Sequence, residues 1–185
     1  MVCALLAAGG LIGAAAIVAL TEFDRLTSTD ATCTSCHTMA TVAADPHYQQ
    51  SAHRTNAAGI MAGCSDCHIP ANNWFIETYT HVSSAITDSI AELTRDFRDP
   101  AAWKARRVEL ARRVSDEMRS QDGTTCRKCH DAAAIRPASE AGRAAHAALQ
   151  QGGATCIDCH INLVHAPVAT GTSFIPGPGL SGGHE

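Results

Sequence analysis

The residues that could do chemistry in this chain are cysteines and histidines in one recurring arrangement. Cys-x-x-Cys-His occurs four times, as Cys33-Thr-Ser-Cys36-His37, Cys64-Ser-Asp-Cys67-His68, Cys126-Arg-Lys-Cys129-His130 and Cys156-Ile-Asp-Cys159-His160, and takes up eight of the nine cysteines. Two thiols three positions apart reach the two vinyl groups of one porphyrin, and the following His stands over the iron as proximal ligand. Four covalently bound haem c groups are therefore expected, with His37, His68, His130 and His160 on the irons. A zinc site would need two Cys pairs converging or a Cys pair followed by paired His, whereas here the His always follows the second Cys directly. Thioether attachment takes place outside the bacterial cytoplasmic membrane, so the cysteine usage implies an exported domain.

Composition fits a chain built around its cofactors. With 185 residues and 4% aromatic content, few large side chains are available to fill a core, and porphyrin would supply the missing apolar bulk. The formal charge of -4 understates the acidity, because four haems bring about eight propionates that need solvent, Arg or Lys. A net negative, exported haem protein is a poor nucleic-acid binder.

The elements that must position these motifs can be placed along the chain. Residues 1–21 carry no charged side chain and are long enough to cross a bilayer of about 30 Å as one helix. An uncleaved transmembrane anchor is the expectation and a cleaved signal peptide the alternative, since neither a basic leading region nor a clear cleavage site is present. Gly9 and Gly13 form a small-xxx-small pair that could support an oligomer through the anchor, although so Gly-rich a run produces such pairs easily. Cys3 reads as an inert apolar residue of that helix. The expected fold is mostly α. It comprises the anchor (1–21), a first diheme module (22–70), a helical connector (71–124), a second diheme module (125–167) and a flexible Gly/Pro tail (168–185).

The modules rest on an internal repeat. Aligning Thr32–His68 with Thr125–His160 superposes both pairs of motifs, and it places His53 sixteen residues after His37 just as His146 lies sixteen after His130. A histidine duplicated together with its motif is expected to ligate iron, so His53 and His146 are candidate distal ligands, the alternative being a propionate or solvent contact. His165 is a third candidate, too close to His160 to cap the same haem comfortably. His47 has no counterpart in the second module, where Glu140 aligns with it, and His184 lies in the tail. Met39, two residues after His37, offers a soft thioether to the first iron.

Taken together, Cys-x-x-Cys-His-x-Met after an apolar helix, Ser51-Ala-His53 with Gly59, Cys64-Ser-Asp-Cys67-His68-Ile-Pro70, the third motif, and Thr155 to His160 with His165 resemble the NapC/NirT family. These are membrane-anchored tetrahaem cytochromes c that oxidise quinol and pass electrons to periplasmic reductases. The resemblance covers roughly residues 1–167. It implies that His53 ligates the fourth haem, His146 the second and His165 the third, while the first has Met39 or an open face beside a quinol pocket. The family's pocket includes a Lys and an Asp after the second motif. In this sequence no Lys precedes Lys104, and His81 and Asp88 occupy roughly those places.

Residues 72–97 contain no Gly or Pro and read as helix, with Trp74, His81 and Asp88 recurring every seven residues. Trp74, Phe75 and Tyr79 suit a membrane–water interface, the alternative being packing on haem. An imidazole or carboxylate there could accept quinol protons. A second helix is expected from Pro100, capped by Asp99, with Trp103, Arg107, Ala111, Val114 and Met118 along one side. Its Lys104, Arg106, Arg107, Arg112, Arg113 and Arg119 could be solvated, pair with propionates or attract anionic lipid.

The expected function is quinol-dehydrogenase-type electron transfer. It would run from membrane quinol to a periplasmic terminal reductase or soluble cytochrome, by a single-pass protein of the bacterial cytoplasmic membrane with its haem domain in the periplasm. The alternatives are a terminal reductase of a small nitrogen oxyanion or hydroxylamine at an open haem, a released soluble shuttle, and a carrier feeding the quinone pool.

Overall fold

The computed structural model describes residues 1–70, 73–95, 97 and 99–168. Ten helices run through them, and no described residue lies in a strand. The Gly/Pro tail from residue 169 onward, including His184, lies outside the described residues, as does Asn72 at the expected start of the connector helix.

Helix α1 (Val2–Thr27) is an Ala/Gly/Leu-rich helix of 26 residues with none of them buried. At 1.5 Å per residue it is about 39 Å long, more than the roughly 30 Å of hydrocarbon. Position 21 therefore marks the end of the uncharged run and not of the helix. The last turns are polar: Arg25 Nε donates to Glu22 Oε2 at 2.9 Å, and the Ser28 amide closes the helix on Asp24 O at 2.9 Å.

Four short helices follow, and three of them carry haem-motif residues. Helix α2 (Asp30–Cys33) ends on the first motif cysteine and α3 (His37–Ala43) starts on the first motif histidine. Helix α4 (Pro46–Gln49) is a single turn capped by Asp45, and α5 (Cys64–His68) is the whole second motif.

Two long helices make up the connector. Helix α6 (Trp74–Thr94) is shorter than the expected 72–97, because Asn73 caps it by accepting from the amides of Phe75 (2.9 Å) and Ile76 (3.4 Å). Helix α7 (Pro100–Ser120) begins where the sequence predicts, with the Asp99 carboxylate accepting from the Ala101 amide at 3.0 Å and Pro100 in the first turn. Phe97 packs edge-on against Trp103, with ring centroids 5.7 Å apart. Trp103, Arg107, Ala111, Val114 and Met118 are all half-buried, as the expected inner side requires. The chain ends in α8 (Thr124–Arg127), α9 (Glu140–Gln150) and α10 (Cys156–Cys159).

The described chain forms two compact units that cut across the sequence repeat. The first gathers Met1–Ala43 and Ala62–Arg95, hence the anchor helix, both motifs of the first module, and α6. Within it α1 contacts α6 and α2 contacts α5. The second gathers Ala44–Met61 and Asp96–Glu185, where α7 contacts α10. Thus the segment bearing His53, which lies between the first two motifs in sequence, clusters with the third and fourth.

Conventional apolar packing is sparse. Among the described residues Tyr48, at 6% exposure, and Pro70 are the buried apolar side chains, and no side chain is completely enclosed. Tyr48 lies between the Arg54 guanidinium, 4.9 Å from its ring centre, and the parallel ring of His165 at 5.6 Å. The second unit therefore depends on helix caps and polar ties more than a protein with a large apolar core would. Asp99→Ala should cost about 1 kcal/mol and lower the thermal midpoint of the haem-loaded protein by a few degrees, measured by circular dichroism at 222 nm; an unchanged midpoint would show that the cap is dispensable.

Candidate functional site

Three of the four haem motifs are one turn of helix or a turn that closes like one, whereas the first runs from the end of α2 to the start of α3. The amides of His130 and His160 donate to the carbonyls of Cys126 and Cys156, both at 2.9 Å, and α5 folds the second motif the same way. A helical turn brings residues three apart to one side, which gives the two cysteines of these three motifs a common direction toward a single porphyrin.

The second motif of each module carries an Asp just before its second Cys, and both perform the same task. Asp66 Oδ2 accepts from the Gly63 amide at 2.9 Å, and Asp158 Oδ2 accepts from the Thr155 amide at 2.7 Å and from its hydroxyl at 3.0 Å. Each reaches back over the first turn and closes it. Asp158 is tied further to α7, where Arg119 Nε lies 2.6 Å from Asp158 Oδ1 and Arg119 Nη1 2.6 Å from Asp116. Burial pushes the Asp158 carboxyl up, but Arg119 and the Thr155 donors outweigh it and hold it below the ordinary carboxylate range. Arg107 donates to the Ala166 carbonyl at 2.7 Å. Two of the six basic residues on α7 thus hold the segment around the fourth motif. The sequence contained this signal, since Asp occupies the same motif position twice.

In each unit the two motifs meet through their first cysteines. The side chain of Cys33 adjoins that of Cys64, and the side chain of Cys126 adjoins that of Cys156. In the first unit, Asp30 Oδ1 accepts from the Cys64 amide at 2.8 Å and Ser65 Oγ donates to the Ser28 carbonyl at 2.9 Å. In the second, Gly123 turns the chain at φ 61°, and a Cβ there would stand 3.4 Å from Cys156 Sγ and 3.7 Å from Cys126 Sγ.

Four histidines of the second unit form two pairs. The ring of His53 lies 6.1 Å from that of His130, nearly perpendicular at 74°, and the ring of His146 lies 6.0 Å from that of His160 at 48°. Two imidazoles sharing one metal through bonds of about 2.0 Å have ring centres about 6 Å apart. Both pairs have that separation. His146 Nδ1 is buried with no hydrogen-bond partner, and an open hollow of about 460 Å³ beside His130 also exposes Arg127, a cation for a propionate. These residues fit haem held between paired imidazoles. His53 and His146, the two histidines the repeat singles out, each lie beside a motif histidine of the unit they fold with, whereas His165 stacks on Tyr48. His47 is turned outward, its ring 3.1 Å from Asp45 in the cap of α4.

At the first motif, Thr38 is buried at 6% exposure between His37 and Met39, and Met39 is exposed at 37%. The Thr38 amide donates to Glu92 Oε1 of α6 at 3.1 Å; the Thr38 side chain first, then this amide and the nearby His37, hold the Glu92 carboxyl below its ordinary range.

His81 and Asp88, expected together at a quinol pocket, have different surroundings. His81 is largely covered, and its Nδ1 lies 2.5 Å from Asp24 Oδ1 of α1 and 3.4 Å from Ser28 Oγ. Asp88 is exposed two turns further along α6. Sequence reasoning missed Asp24, which lies just beyond an apolar run where helix periodicity gives no hint of a partner. The face of α6 that is bare carries Phe75, Tyr79, Ile86, Ile90 and Leu93, all more than half exposed. Their spacing places them along one side of the helix.

Comparison with known proteins agrees with this construction. A probable tetraheme cytochrome c-type protein of Nitrosomonas europaea is 36% identical over 162 residues, covering 86% of this chain and 67% of the relative. The cytochrome c-type protein TorC of Escherichia coli K12 is 36% identical over 168 residues, 89% of this chain but 42% of TorC. NapC of Paracoccus pantotrophus is 30% identical over 147 residues, 76% of this chain and 60% of NapC. The chain thus spans well under half of TorC and about two thirds of the Nitrosomonas protein. No solved structure matches it. The model of the NapC/NirT cytochrome c family, N-terminal region, matches residues 1–170, from the apolar helix through all four haem motifs, and the chain belongs to this family of tetrahaem electron-transfer cytochromes with four covalently attached haems.

Proposed function

We propose that the protein is anchored in the bacterial cytoplasmic membrane by α1, oxidises quinol beside the first haem, and relays electrons through its haem domain to a periplasmic reductase or soluble cytochrome. The observation that carries this reading is the position of α6. One end of this helix is joined to the polar last turns of α1 through His81 and Asp24, and the other is joined through Glu92 to the amide between His37 and Met39. Along its length runs the bare apolar stripe from Phe75 to Leu93. A helix bound to a membrane-spanning element and bearing aromatic residues on an exposed apolar side suits the bilayer surface, where a lipid-soluble donor must be met. The first haem motif lies in the same unit. The haem domain faces the periplasm because thioether attachment takes place there.

The haems, when bound, supply reversible one-electron acceptance. The chain's own residues do the rest. His53 with His130 and His146 with His160 would hold two of the haems, Met39 is the thioether available to the first, and His165 would be a further distal ligand. Asp66, Asp158, Asp30 and Arg119 lock the turns that aim the motif cysteines. His81 stands as the proton acceptor at the quinol site, with Asp88 the second titratable group on that helix. The relatives named NapC, NirT and TorC support placing the electron acceptor among respiratory reductases.

Reduced menaquinol and ubiquinol analogues, added anaerobically to the detergent-solubilised haem-loaded chain, should reduce its haems rapidly as followed by their optical bands. The double substitution His81→Ala with Asp88→Ala should slow that reduction by about a hundredfold while dithionite still reduces every haem. No reduction of the unsubstituted protein by either quinol would refute the reading. For the axial pairs, His146→Met should raise the midpoint potential of one haem among the four, because thioether replaces imidazole as ligand; a potentiometric titration superposing on that of the unsubstituted protein would remove His146 from the iron.

A further inference from the structure

Asp24 is a carboxylate in the penultimate turn of a helix whose preceding residues are almost entirely apolar, and it faces a histidine 57 residues away on another element. The pair differs from the contact of His47 with Asp45. His47 and Asp45 are two residues apart, part of a local helix cap, and the His47 side chain is 61% exposed, whereas those of His81 and Asp24 are 13% and 21% exposed. Partial burial gives the second pair a stronger mutual field than a surface contact would have. Ser28 Oγ stands 3.4 Å from the same ring nitrogen, so Nδ1 has oxygen partners from two successive turns of the polypeptide leaving α1.

The chemical consequence lies at the other nitrogen. A neutral imidazole carries one proton, and a carboxylate beside Nδ1 favours the tautomer with that proton on Nδ1, which leaves the Nε2 lone pair as the base. The same carboxylate stabilises the imidazolium formed when Nε2 takes a proton and keeps the ring from rotating away. A helix-clasping ion pair alone would not require the acceptor nitrogen to be kept in one protonation state.

We propose that Asp24 is a positioning residue for quinol deprotonation, holding His81 in the Nδ1–H tautomer with Nε2 as the proton acceptor. This rests on the reading that quinol is the electron donor. The oxidation is balanced by two ferric haems of the same chain. Each quinol O–H bond that breaks gives its proton to His81 Nε2 and one electron to one ferric iron. The Nε2–H bond then breaks to water before the second proton is taken. The products are one quinone, two ferrous haems and two protons released to water. Asp24 touches neither quinol nor haem and acts through His81.

The test uses the full haem-loaded chain in detergent, labelled with 15N at histidine and fully reduced so that low-spin haem does not broaden the spectrum. His81, assigned by comparison with His81→Ala, should show the nitrogen shifts of an Nδ1–H imidazole, and Asp24→Asn should shift the population toward the other tautomer. In stopped-flow reduction by a short-chain quinol, Asp24→Asn should lower the saturating rate by about tenfold or more with the half-saturating quinol concentration unchanged. Asp24→Glu should recover most of the rate. Haem content and dithionite reduction, equal in all variants, check folding. Unsubstituted tautomer and rate in Asp24→Asn would overturn the proposal while leaving quinol oxidation intact. A loss appearing as a raised half-saturation concentration, or accompanied by loss of haem, would overturn it in favour of a purely structural clasp. Failure of quinol to reduce even the unsubstituted chain would overturn the quinol reading, and this proposal with it.

Discussion

Attachment of four haems through short cysteine–histidine motifs is the constraint on which the rest of this structure depends. Covalent attachment fixes one edge of each porphyrin locally, within five residues, at no cost in long-range order. The remaining apolar surface of each porphyrin must be covered by chain from elsewhere, and that requirement draws distant segments together. It accounts for the division of the chain, in which the stretch around His53 leaves its sequence neighbours and folds with the third and fourth motifs. It also accounts for the small apolar interior, since Tyr48 and Pro70 are the buried apolar side chains among the described residues. A metal–ligand bond is directional and strong, so a few such bonds can replace the many weak contacts of an ordinary core.

Around that constraint the polypeptide works mainly through carboxylates. Asp66 and Asp158 close their own motif turns, Asp30 reaches the second motif from the first, Glu92 fixes the amide between His37 and Met39, and Asp24 holds His81. In each case an acidic side chain accepts from a backbone amide or ring nitrogen whose position matters to a haem or to the proposed donor site. A chain poor in apolar bulk thereby gains precision where precision counts. The arginines of α7 follow the same logic, with Arg119 and Arg107 holding the region of the fourth motif and not merely facing solvent.

What could be read in the sequence was what local chemistry dictates. The haem motifs, the anchor helix and the Asp99–Pro100 helix start each depend on residues within a few positions of one another, so spacing reveals them. The repeat singled out His53 and His146, but it could not say which iron each approaches, because duplicated sequences need not be related by an exchange in space. The rings of His53 and His130, and those of His146 and His160, lie about 6 Å apart, a neighbourhood fixed by tertiary folding and invisible to alignment. Asp24 escaped for the same reason, its partner being 57 residues away. The Asp shared by the second motif of each module was visible, yet its capping role becomes evident only once the turn is seen to be helical. His81 and Asp88 share a helical period but not an environment, which shows that periodicity gives direction and not burial.

The most direct test of this account is whether the chain folds cooperatively without haem. All eight motif cysteines can be replaced by serine, and the far-UV circular dichroism of the purified protein followed through thermal unfolding beside the haem-loaded form. The account predicts residual helix from the long segments α1, α6 and α7 but a broad, non-cooperative melt. A sharp transition comparable to that of the haem-loaded protein would contradict it, because it would mean that side-chain packing alone specifies the fold.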